Sequence, residues 1–130
     1  MFAGGIIGYC GNLLVKNCTS SASVSGSSCV GGIAGLLYGG TIQDCFYTGT
    51  SVFSETTKGT IAGDRGDPDN PGHEGTICLT LFDSNNDAIN NATRLSNYNG
   101  LKANVTLSGR TLYKENSWNT ICLPFAMTAE

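Results

Sequence analysis

The residues able to do chemistry are few and scattered. The single histidine, His73, is followed by Glu74, but a zinc-peptidase helix needs its second histidine where Ile77 stands. No other histidine is available to complete a Ser-His-Asp or Cys-His arrangement. The six cysteines, Cys10, Cys18, Cys29, Cys45, Cys78 and Cys122, form no CxxC pair, so the usual zinc spacings are missing and no cofactor is expected. Oxygen ligands recur at Asp64, Asp67 and Asp69, and again at Asp83, Asn85 and Asp87. The second set has Ala88 where a calcium loop turns on glycine and Arg94 where a glutamate should close it, so turns that serve the backbone are the expected use. Arg65, Gly66 and Asp67 spell RGD, an integrin-type tripeptide, but Pro68 and Pro71 beside it favour an ordinary turn.

Charge narrows the function further. The 130 residues carry a net charge of −3, and the seven basic side chains stand singly along the chain. Nucleic-acid binding needs clustered Lys and Arg that displace counterions from phosphate, so that partner is excluded, and anionic membrane is disfavoured on the same ground. No run reaches the ~18 apolar residues of a membrane span, so no membrane insertion is expected. Between positions 1 and 43 the only charged side chain is Lys16. A lyase groove needs grouped carboxylates and a proton-accepting base, which such a segment cannot supply. The chain is therefore expected not to be an enzyme.

What must position these residues is a repeat. GGIIGYCGNLLVKNC, from Gly4 to Cys18, aligns without a gap on GGIAGLLYGGTIQDC, from Gly31 to Cys45, at an offset of 31 − 4 = 27. Gly4 matches Gly31, Gly5 matches Gly32, Ile6 matches Ile33, Gly8 matches Gly35, Val15 matches Ile42 and Cys18 matches Cys45. Such a period is that of a solenoid, in which each unit buries its apolar face on its neighbours. The glycines argue against helix, where each costs about 1 kcal/mol, and for tight corners. GTIAG, from Gly59 to Gly63, echoes GGIAG at an offset of 28 and reads as a decayed third copy without a second half.

These two copies, GG-aliphatic-G followed by an aliphatic residue and an Asn or Asp before Cys, resemble the GLUG-motif repeats of bacterial surface proteins over residues 2 to 53. The resemblance implies a parallel β-helix in an adhesin-like, extracellular protein, with any export signal lying upstream of this chain. Equivalent side chains one turn apart point in parallel, a poor geometry for a disulfide, so Cys18 and Cys45 are expected as free thiols packed in the interior.

The organisation expected is a β-solenoid over 1–57, a Gly/Asp/Pro-rich linker over 58–75 and a β-rich unit over 76–130, cut short at Glu130. TICLTLF alternates, placing Ile77, Leu79 and Leu81 on one face of a strand. A short helix is expected after it, capped by Asp87, with Ile89, Ala92 and Leu95 on one side and Gly100 at its end. NVTL, RTLY and WNTICL read as further strands, similar to a region that follows repeats in secreted proteins of gut anaerobes. The expected fold class is thus all-β: short parallel β-helix turns followed by an antiparallel β unit. Tyr98, Tyr113 and Trp118 offer aromatic faces to a glycan, making a carbohydrate-binding module the alternative to a structural or adhesive one. The solenoid's open edge is expected to invite self-association. The host or glycan ligand is not specified by the residues.

Overall fold

The computed structural model describes residues 1–66, 69–70, 72–82 and 90–109. They form a parallel β-solenoid of about four turns. Turn 1 holds β1 (Ala3–Gly4), β2 (Ile7–Gly11), β3 (Leu14–Lys16), β4 (Thr19–Ser20) and β5 (Val24–Gly26). Turn 2 repeats them as β6 (Val30–Gly31), β7 (Ala34–Tyr38), β8 (Thr41–Gln43), β9 (Phe46–Tyr47) and β10 (Val52–Ser54). Turn 3 holds β11 (Lys58–Gly59), β12 (Ala62–Asp64) and β13 (Thr76–Phe82), and a helix, α1 (Asn91–Asn97), precedes β14 (Asn104–Ser108) of turn 4.

Stacking follows the repeat residue by residue. Gly4 pairs with Gly31 and Gly31 with Gly59; Val15 pairs with Ile42 and Ile42 with Ile77. Main-chain bonds run down the stack, from the Ile6 N–H to the Ile33 carbonyl and from the Ile33 N–H to the Ile61 carbonyl, each at 3.0 Å. Inside lies the core of Ile33, Leu37, Ile42, Ile61, Ile77 and Leu81, all fully buried. The same rungs at the end of the stack are not covered: Ile6 is 45 % exposed where Ile33 is 0 %.

Two features of the motif have a steric cause. A Cβ on Gly31 would overlap the carbonyl oxygen of Ala34, and the equivalent atom on Gly4 or Gly59 would overlap that of Ile7 or Ala62. The first glycine of the motif thus leaves room for the backbone to fold back on itself three residues later. The residue before the paired cysteines is left-handed in both turns, with φ of 53° at Asn17 and 50° at Asp44. Asn and Asp tolerate that conformation better than other residues with side chains.

The third repeat has its second wall but is interrupted. Ala62 aligns with Ala34 at 62 − 34 = 28, whereas Ile77 aligns with Ile42 at 77 − 42 = 35. The second half of the turn, absent from its expected place, is TIC of β13, displaced by 35 − 28 = 7 extra residues. The segment expected as a linker therefore carries two strands of the stack. Thr76–Phe82 and Asn104–Ser108, expected in an antiparallel unit, pair in parallel with β8 and with each other. The alternation in β13 holds, with Ile77, Leu79 and Leu81 buried, but one buried face suits a solenoid wall as well as an antiparallel sheet. RTLY and WNTICL lie outside the described residues.

α1 closes an edge. Its N-cap is Asn90 rather than Asp87, because the Asn90 side chain accepts from the Thr93 N–H at 2.9 Å. Among the described residues β9 has β4 on one side and no strand on the other. On the open side the Tyr47 N–H donates to Asn97 Oδ1 at 2.7 Å, and the Tyr98 hydroxyl meets both the N–H (3.2 Å) and the carbonyl oxygen (2.9 Å) of Cys45. Side chains thus replace the missing strand. Tyr98→Phe is expected to lower stability by about 2 kcal/mol, since it strands two buried main-chain groups. Hydrogen exchange at the Cys45 amide should accelerate more than exchange at Ile42; equal acceleration at both would refute the local cap.

Candidate functional surface

A polar cluster forms where turns 2 and 3 meet α1. The left-handed corner at Asp44 aims its carboxylate along the stack, where it accepts from the Thr80 N–H at 2.6 Å and the Thr80 hydroxyl at 2.8 Å. Arg94 of α1 lies 3.7 Å from the same carboxylate and donates to the Thr80 carbonyl at 3.3 Å. Its guanidinium carbon sits 4.9 Å from the Phe46 ring centre and 4.8 Å from that of Phe82, a cation–π clamp on a planar group. Asp44, Phe46, Phe82 and Arg94 line, with Asn17 and Thr19, an open cavity of about 270 Å³. Asn91 holds the end of β13, accepting from the Phe82 N–H at 3.0 Å and donating to its carbonyl at 2.6 Å. Chemically the cluster is a clasp: its charges are matched to each other and to backbone.

A second cluster ties the inserted segment to turn 4. Arg65 donates from Nε and Nη2 to the Gly75 carbonyl, at 3.1 and 2.7 Å, and from Nη1 to the Lys102 carbonyl at 2.7 Å, with Glu74 3.8 Å away. The cation of the RGD tripeptide is thereby engaged within the fold; Asp67 lies outside the described residues. Asp64 Oδ1 accepts from the Gly66 N–H at 3.0 Å, an Asx-turn serving the backbone as expected. Asp83, Asn85 and Asp87 of the other oxygen-rich stretch lie outside the described residues.

On the outer wall the rings of Tyr9, Tyr38 and His73 run along the stack, with centroids 6.4 and 4.6 Å apart in stacked geometry, and Phe2 follows Tyr9 at 6.3 Å. A sugar needs a free ring face. Both faces of Tyr38 already meet rings, so this row is a stacking ladder. The alignment does not show it, because Tyr38 lies 38 − 9 = 29 residues from Tyr9 and not 27.

Of the three aromatics expected on a ligand face, Tyr98 is 5 % exposed and commits its hydroxyl to Cys45. That corrects its assignment: it is a buried capping residue, and burial raises its hydroxyl pKa far above the ordinary tyrosine value. Tyr113 and Trp118 lie outside the described residues. The repeat residues are brought together as the spacing requires. Cys18 and Cys45 are both free thiols; Cys45 is fully buried, 3.4 Å from the carbonyl oxygens of Val15 and Gln43, and burial pushes its pKa up to about 11. Cys18, on the outermost turn, is only half-buried.

Turn 2 shows every part of the repeat at once: the glycine fold-back at Gly31, the buried Ile33 and Ile42, the left-handed Asp44 and the buried Cys45. A family model described as the GLUG motif matches residues 26–52. Those residues run from the last residue of β5 through β6, β7, β8 and β9 to the first residue of β10, so the GLUG motif here is one rung of the solenoid. No curated protein and no solved structure gave a match to the chain.

The closing residues Asn91, Arg94, Asn97 and Tyr98 were not legible as such in the sequence. Their partners lie up to 53 residues away, and no local spacing signals them. Among the described residues no helix is long and apolar enough to cross a membrane.

Proposed function

We propose that the chain is a non-catalytic structural or adhesive module of an extracellular bacterial surface protein. The observation that carries this reading is the continuous ladder from turn 1 to turn 4, within which the GLUG motif is a repeating structural unit. Such a stack grows by adding equivalent rungs, which suits spacing and display. The charged groups described above reinforce the reading, since Arg65, Arg94 and Asp44 bind the stack together. The likeness to repeats of adhesin-like proteins supports an extracellular setting for the module.

A panel of chromogenic glycosides, esters and a peptide substrate should give no turnover above buffer with the purified chain. Hydrolysis that scales with chain concentration across independent preparations would overturn the non-catalytic assignment. A glycan array run beside it addresses the carbohydrate-binding alternative: binding abolished by Trp118→Ala, with the far-UV spectrum unchanged, would replace the structural reading by that one.

A further inference from the structure

Cys18 and Cys45 hold the same place one rung apart, in the seam between turns 1 and 2. Lys16 pairs with Gln43 just before them and Thr19 with Phe46 just after, so they are in register without a gap. Main-chain bonds from the Asn17 N–H to the Gln43 carbonyl (3.0 Å) and from the Phe46 N–H to the Cys18 carbonyl (2.9 Å) fix the seam on both sides of the pair. Each cysteine follows a left-handed residue, and each thiol meets the carbonyl oxygen two residues before it, Cys18 that of Lys16 at 3.2 Å and Cys45 that of Gln43 at 3.4 Å. Equal backbone and equal side-chain contacts set the two sulfurs side by side at about the rung spacing of ~4.8 Å. The Cys45 thiol also reaches across the seam to the Val15 carbonyl at 3.4 Å, and its pKa is raised by burial and further by the Cys18 thiol next to it.

We propose that this pair is a two-coordinate site for a soft monovalent cation such as copper(I). A disulfide needs its sulfurs ~2.05 Å apart on converging Cβ vectors, which parallel rungs deny. Two metal–sulfur bonds of ~2.3 Å, the length of a zinc–thiolate bond, laid end to end span ~4.6 Å and match the rung spacing. Sulfur ligands select copper(I) over the hard divalent ions. The surroundings set the charge of the bound state. Carbonyl oxygens of Val15, Lys16 and Gln43 lie within 3.4 Å of one sulfur or the other and disfavour two thiolates together. The entering ion therefore displaces one thiol proton to solvent and binds one thiolate and one neutral thiol, so that no net charge is buried. This goes beyond the role proposed above and does not rest on it.

Silver(I) has the same charge and softness as copper(I) and needs no reducing agent, so it serves as the probe. Native mass spectrometry of the reduced chain, titrated with silver(I) against a competing thioether chelator, should show one ion held more tightly than any other. Cys18→Ser and Cys45→Ser should each weaken that binding at least about 100-fold, since each removes one of two ligands. Cys29→Ser, which changes a free thiol outside the pair, should leave it unchanged. Bound silver should also slow alkylation of Cys18 more than that of Cys29. Cys18 is only half-buried, so Cys18→Ser decides the matter should Cys45→Ser unfold. Undiminished tight binding in Cys18→Ser, its loss in Cys29→Ser instead, or a Cys18–Cys45 disulfide in chain purified without reductant would each overturn the assignment.

Discussion

Ile33→Ala should lower the unfolding free energy by about 4 kcal/mol, whereas the same change at Ile6 should lower it by less than about 1 kcal/mol. The two isoleucines are equivalent in the repeat and share a main-chain bond, so chemistry and local conformation are matched and only burial differs. Truncating a fully enclosed isoleucine loses its transfer free energy and leaves a cavity, together about 2–5 kcal/mol. Ile6, 45 % exposed, keeps much of its water contact in the folded state and gives up correspondingly less. Urea unfolding of the two variants, compared at the midpoint, checks this. Equal losses would mean that the ladder does not bury its rungs according to their place in the stack.

Arg94→Ala should cost about 3–4 kcal/mol. Arg94 is 9 % exposed, its guanidinium clamped between Phe46 and Phe82 and set against the Asp44 carboxylate. Its removal leaves a nearly enclosed carboxylate without its cation and two rings without the surface between them, and breaking such a pair costs about 3–5 kcal/mol. Arg94→Lys should recover little of the loss, because an ammonium is not planar and cannot fill the slot between two rings. Asp44→Asn combined with Arg94→Ala should be less damaging than the sum of the single changes, since the uncompensated charge is then gone. Thermal and urea midpoints of the four proteins give the coupling directly; additive losses would rule out the clasp.

The stack was legible because its signal is local. Gly4 and Gly31, Val15 and Ile42, and Cys18 and Cys45 repeat at one offset without a gap, and a solenoid converts constant sequence spacing into vertical neighbours. Turn 3 was half hidden because seven residues enter between its strands, so the offset jumps from 28 to 35 in mid-repeat. TICLTLF then stood alone, and its alternation fits a strand in either kind of sheet. The cap was invisible for a different reason: Asn97 and Tyr98 act on main-chain groups of β9, and a side chain that substitutes for an absent strand leaves no periodicity. Tyr98, expected on a ligand face, is drawn inward by those main-chain groups.

The seven extra residues between Asp64 and Thr76 leave the strands on either side in register, Ala62 on Ala34 and Ile77 on Ile42. Lengthening a closed segment adds only about 0.6 kcal/mol for each doubling. This bend of the winding is accordingly a natural port for foreign sequence: an epitope or a small folded cargo spliced there would be carried sideways from the shaft while the rungs above and below keep their partners.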